Sequence, residues 1–191
     1  MEKKIKLLLV ADTYYPKVDG TLKFMEEFIK KSKNDFNISL LIPNFRKHKN
    51  TNKKSFFKVS KFISLSDYPS MKFSFRNFKT IKKSIKENDL IFIQGPALAS
   101  YVAMYYGKKY RKKVVTYIHV ITWELFEKFL PPIINKLFLK IFRKISIILY
   151  NRCNLVIVPY HDLKDELIKK DVLTGIKVAR LGVDIDRFNS N

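Results

Sequence analysis

Short apolar runs recur along this chain, each ending in a polar or turn-forming residue, with amphipathic stretches between them. No other feature restricts the fold as much. Residues 5–11 (IKLLLVA) form an unbroken apolar run that stops at Asp12. Such a run is how a strand buried on both faces of a parallel sheet reads. A turn region with Pro16 and Gly20 follows, then Leu22, Met25, Phe28 and Ile29 at helical spacing, then a second buried strand over 37–43. The opening is therefore strand–helix–strand, which implies a right-handed crossover and parallel pairing. The pattern returns at 90–94 (LIFIQ, cut off by Gly95–Pro96), at 114–118 (ending at His119), at 155–159 and at 176–180. Helical stretches lie between these strands: a basic one with Phe78, Ile81 and Ile85, one from Ala97 to Tyr106, a long one over 133–150, and one over 162–169. Alternation from end to end predicts an α/β fold with an open, doubly wound, mostly parallel sheet.

Residues 44–61 interrupt the pattern; they are basic, polar and rich in Lys and Asn, and read as a surface excursion with solvated charges. The 191 residues suit one domain able to bury a substantial core, and 47% hydrophobic content with 16 Phe and 10 Tyr argues for a folded chain. The 38 Lys+Arg exceed the 17 Asp+Glu, for a net charge of +21, which predicts attraction to something anionic. Cys153 is the only cysteine, so no internal disulfide is possible. Lys6 and Asp12 bracket an apolar run too short for a signal peptide. No stretch approaches the roughly 18 apolar residues of a membrane span. The expectation is a cytoplasmic protein, with peripheral attachment to the inner face of a membrane as a further option.

In an open α/β sheet, ligands meet the loops at the carboxyl ends of the strands. The first such loop carries only Gly20 and no G-x-G-x-x-G, which disfavours a dinucleotide. Gly20 is either a plain turn residue or a point where backbone N–H groups receive an anion. His119 ends its strand, so it is either a structural residue or a contact to sugar or phosphate that titrates near neutral pH. The other histidines, His48 and His161, are dispersed, and no zinc spacing, P-loop, G-x-S-x-G or H-E-x-x-H appears. No metal site is expected.

Residues 133–150 place Ile133, Leu137, Ile141 and Ile145 on one stripe, widened by Ile134, Phe138 and Phe142, with Lys136, Lys140, Arg143 and Lys144 on the other side. The helix can pack its stripe on the sheet, lie at an anionic lipid surface, or do both. Trp123, Phe126, Phe129 and Leu130 precede it as an aromatic, apolar segment, expected to take part in membrane binding.

Read together, these loops resemble the retaining glycosyltransferases of the GT-B fold, specifically family 4, over nearly the whole chain. The segment Asp12–Gly20 is similar to the family's first strand end and glycine loop. Tyr68–Pro69 stands where relatives carry Tyr-Pro. Asp89–Pro96 resembles D-[VI]-[VI]-H-[VI]-H-x-P, with Gln94 in place of a frequent histidine. Val115–His119 resembles V-T-x-Y-H. Leu155–Pro159 resembles a strand that normally continues into Pro-Ser, where this chain has Tyr160. Gly182-Val-Asp-Ile-Asp-Arg-Phe188 matches G-V-D-x-x-x-F, the family's signature at the crossover into its second domain.

The resemblance implies a Rossmann-like, acceptor-side N-terminal domain over 1–180, with 181–191 opening the crossover to a C-terminal, donor-binding domain or subunit not contained in the sequence. It implies transfer of a sugar from a nucleotide-sugar donor with retention, no cofactor and no metal, and little activity for this half alone. His119 is the implied catalytic residue. Asp19 and Gly20 line the donor-phosphate side, joined by Gln94 and Gly95 as substrate-binding residues, and the expected acceptor is a membrane lipid or lipid-linked glycan. Two rivals stand beside this reading: a basic module binding nucleic acid or protein, and a non-catalytic partner subunit. No RNA-binding signature supports nucleic acid, whereas Gln94 and Tyr160 are the departures that keep the second rival open.

Overall fold

The structure, a computed structural model, describes residues 4–45, 49, 51, 53–60, 70–95, 97–121, 123–124 and 132–180. Its strands are β1 (Ile5–Ala11), β2 (Phe36–Asn44), β3 (Lys54–Ser60), β4 (Ser70–Met71), β5 (Leu90–Gln94), β6 (Lys113–Tyr117), β7 (Leu155–Val158) and β8 (Ile176–Val178). The helices are α1 (Gly20–Ser32), α2 (Phe75–Lys86), α3 (Leu98–Lys109), α4 (Pro132–Asn151) and α5 (His161–Lys169). The strands form one sheet in the order β4-β3-β2-β1-β5-β6-β7-β8. All pairings are parallel except the short β3–β4 edge. The α/β, Rossmann-like fold read from the alternation is present.

Side chains alternate between the two faces, as a pleated strand requires. Leu7, Leu9 and Ala11 of β1 pack with Leu22 and Met25 of α1. Leu8 and Val10 face the other way and join the larger core, built with Ile81 and Ile85 of α2, Ala103 and Met104 of α3, Tyr150 of α4 and Leu167 of α5. Because β1 and β5 are buried on both faces, their sequences contain almost no polar residue between the ends.

The excursion expected over 44–61 contains a strand. Lys54–Ser60 pairs in parallel with β2, Leu40 opposite Lys54 and Ile42 opposite Phe56. Phe57 is buried in the larger core while Phe56 packs toward α1, so two adjacent phenylalanines serve opposite faces. Lysines along a strand near a sheet edge blunt its tendency to pair with other chains, and here they mask the strand's apolar pattern. Asn77 of α2 secures this edge from inside: its side chain accepts from Lys58 N at 2.8 Å and donates to Lys58 O at 2.8 Å and Lys72 O at 2.7 Å. Tyr68–Pro69 and the segment Gly182–Phe188 lie outside the described residues.

The long helix differs from its expected single stripe. Phe142 packs edge-on against Tyr101 at 5.5 Å, and Ser146 Oγ lies 2.9 Å from the Tyr101 hydroxyl, so this side of α4 rests on α3. A second apolar line, Leu137, Phe138, Ile141, Ile145 and Ile148, is exposed, from 41% at Ile148 to 70% at Leu137. Trp123, expected among the membrane-binding residues, is 5% exposed, with its ring 6.2 Å from that of Tyr150. A ring enclosed in the core cannot reach a bilayer, so that expectation is corrected. Phe126, Phe129 and the Lys136 side chain lie outside the described residues.

Candidate functional site at the carboxyl edge of the sheet

From β1 the chain builds the sheet outward through β2 and β3, and from β5 outward the other way through β6, β7 and β8. The crevice beyond the carboxyl ends of β1 and β5 is thus the switch point where such sheets hold ligands. Register brings Ala11, Gln94 and Tyr117 side by side on one row at this edge.

Two carboxylates at this edge act on helix starts. Asp19 is the N-cap of α1: one carboxylate oxygen accepts from Leu22 N at 2.9 Å and the other from the Thr13 hydroxyl at 2.9 Å. The structure makes Asp19 the organiser of the loop, and a carboxylate in that place opposes an anion settling on the same N–H groups. Gly20 opens the helix, and a Cβ built there would meet nothing within 4 Å. Packing therefore does not demand glycine, and the space above it is open to a ligand.

Asp12 reaches across the sheet to α3, whose own N-cap Ala97 supplies no side-chain bond. It accepts from Ala99 N and Ser100 N at 3.3 Å each and from the Ser100 hydroxyl. Burial pushes its pKa from 3.8 to about 6, against the lowering effect of those bonds. A folded-state pKa above the unfolded one stabilises the fold below pH 3.8, and that contribution is lost as pH rises through about 6. The loss is on the order of 3 kcal/mol at neutral pH. Asp12→Asn keeps an acceptor oxygen for the cap and removes the titration. Urea unfolding from pH 4.5 to 7.5 is expected to show wild-type stability declining relative to this variant. Parallel curves would overturn the assignment.

Gln94 ends β5 and is buried, and Gly95 follows at φ +72°, a left-handed conformation that favours glycine. Gly95 N donates to Tyr117 O at 2.9 Å, tying the turn to the neighbouring strand. His119, two residues beyond β6, places Nε2 3.3 Å from Gln94 Oε1. Its ring lies 4.6 Å from that of Tyr117 and 6.5 Å from that of Phe24. Burial holds the imidazole below its ordinary pKa, and the nearby Asp19 charge partly offsets this.

Of the residues expected in the site, Asp19, Gly20, Gln94, Gly95 and His119 gather at this one edge. Lys140, Arg143 and Lys144 stand on exposed positions of α4, apart from them. Thr13, Phe24 and Tyr117 complete the cluster and were not anticipated. Thr13 sits two positions past the end of β1 and Phe24 one helical turn past Gly20, which are the signals a closer reading could have used. Tyr160 is the N-cap of α5 and gives it no side-chain bond. An imidazole whose pKa is lowered by burial and a buried amide suit hydroxyl-rich ligands. Asp19, Gln94 and His119 offer no positive charge for a departing diphosphate. Among the described residues, no group of His, Cys, Asp or Glu could hold a metal ion.

No curated protein matches the chain in sequence. Among solved structures, it is similar to a Listeria monocytogenes protein described as a UDP-N-acetylglucosamine 2-epimerase. That likeness has a TM-score of 0.54 at 15% identity, covering 92% of this chain and 45% of the other. The chain thus spans less than half the length of that protein, and at such identity the likeness concerns the fold. The sequence model of Glycosyltransferase Family 4 matches residues 32–187, well over half of the chain. With the alternating strands and the Rossmann-like sheet already described, the match makes this chain a member of glycosyltransferase family 4.

Proposed function

We propose that the chain is the acceptor-side half of a retaining glycosyltransferase that moves a sugar from a nucleotide-sugar donor to a lipid or lipid-linked acceptor. The observation that carries this reading is the convergence of Asp19, Gly20, Gln94, Gly95 and His119 at the switch point of the sheet. Catalysis there is chiefly positioning, with the cations that stabilise the departing diphosphate supplied by a C-terminal domain or subunit. The reaction needs no metal or resident cofactor. The chain alone is expected to give no measurable transfer from nucleotide sugars, and activity is expected once a C-terminal, donor-binding half is added. Robust turnover by the 191-residue chain alone would overturn the division of labour. Inactivity of the reconstituted pair would favour a non-catalytic subunit.

The lipid acceptor rests on α4. At 100° per residue, Leu137, Ile141, Ile145 and Ile148 share one side, with Lys140 and Lys144 on its flank and Arg143 beyond them. All seven are exposed. Among the described residues no helix is long and apolar enough to cross a membrane, so this helix would lie on a surface. Each basic residue near an anionic membrane adds about 1 kcal/mol, giving about 3 kcal/mol for the three cations. Vesicles containing anionic lipid should co-sediment with the chain, and neutralising those three charges by substitution with glutamine should weaken binding about 100-fold. Equal binding to neutral vesicles would remove the electrostatic role, and tight RNA binding without vesicle binding would favour a nucleic-acid module.

A further inference from the structure

We propose that Gln94 is a positioning residue for His119: its amide oxygen accepts from Nε2–H and holds the ring in the tautomer that leaves Nδ1 unprotonated. The amide has little freedom. Gln94 is 1% exposed, its strand is paired with Ala11 on one side and Tyr117 on the other, and the chain turns sharply at Gly95. Oε1 lies 3.3 Å from His119 Nε2, and the ring packs against Tyr117, with Phe24 next to it on the same side. Burial lowers the imidazole's pKa from its ordinary value against the charge of Asp19; above that ordinary value the ring carries one proton, and the nitrogen facing a carbonyl oxygen keeps it. An amide is suited to this task because it orients the ring without the negative charge that would stabilise imidazolium. The other end of the same amide, Nε2, is buried with no hydrogen-bond partner, so one end is committed to His119 and the other remains a donor. In the proposed transfer, His119 therefore meets its ligand as an acceptor, from a hydroxyl. That consequence rests on the reading above, but the test does not.

The tautomer is read in the ¹⁵N-labelled 191-residue chain by two-bond ¹H–¹⁵N correlation, with His119→Gln to assign the signal. The wild type should show the Nε2–H form alone at alkaline pH. Gln94→Leu, close in size, should lose this exclusivity and show both tautomers. Gln94→Glu keeps the acceptor oxygen, so it should keep the tautomer while raising the His119 pKa by about 1–3. A wild-type Nδ1–H form, or an unchanged single tautomer in Gln94→Leu, would overturn the proposal. If the leucine variant does not fold, the wild-type tautomer and the glutamate variant decide. Lost transfer with the expected tautomers would count against the proposed function and leave the role of Gln94 intact.

Discussion

His119→Ala in the completed enzyme should lower kcat/KM by about 100-fold, the lower end of what a positioned proton-transfer or hydrogen-bonding group contributes. The fold should survive, because the ring is only half-buried and touches its neighbours edge-on or tilted. The sign of its pKa shift adds a second readout. Burial lowers the value from 6.5, so if neutral imidazole is the active form, the acid limb of the pH–rate profile falls below 6.5 rather than at it. Turnover that is unchanged while the thermal midpoint drops would make His119 structural. An acid limb above the ordinary histidine value would contradict the neutral ring.

The largest expected loss of stability comes from the joint between α3 and α4. Tyr150 is fully buried, with its ring 6.4 Å from that of Tyr101 and 6.2 Å from that of Trp123, and its hydroxyl 3.3 Å from that of Tyr101. Tyr150→Ala removes a large aromatic from a packed core, which costs about 3–5 kcal/mol. Against a typical total of about 5–15 kcal/mol, that takes much of the margin. Tyr150→Phe keeps the ring and should cost only about 1 kcal/mol. Urea unfolding of the two variants separates these effects, and near-equal midpoints would show that the ring's packing contributes little.

The strands that read clearly from sequence were those enclosed on both faces. β1 and β5 have nowhere to place polar residues except at their ends, and the end of β5 is where Gln94 and Gly95 fall. β3 escaped notice because only Phe57 is fully enclosed, while Lys54 and Lys58 look like loop residues. In the site, Gln94 and His119 were legible as strand-end residues, but their contact was not. Asp12 shows the limit more sharply: it stands at the right place for ligand chemistry, yet its partners lie 87 and 88 residues away. Local pattern carries no information on such a pairing. Trp123 failed for a related reason, since a tryptophan in an aromatic segment reads the same whether the chain folds inward or outward.

The strand order also governs what a nascent chain must do. β1 can pair with β2 as soon as residue 44 has emerged, but its opposite edge belongs to β5, which ends at residue 94. During synthesis an apolar strand therefore waits, half paired, for some fifty residues, at a rate of about 5–20 residues per second. Much of the intervening stretch is lysine-rich. Like charges on neighbouring nascent chains repel, so the segment least informative about the finished sheet guards its unfinished middle against premature partners.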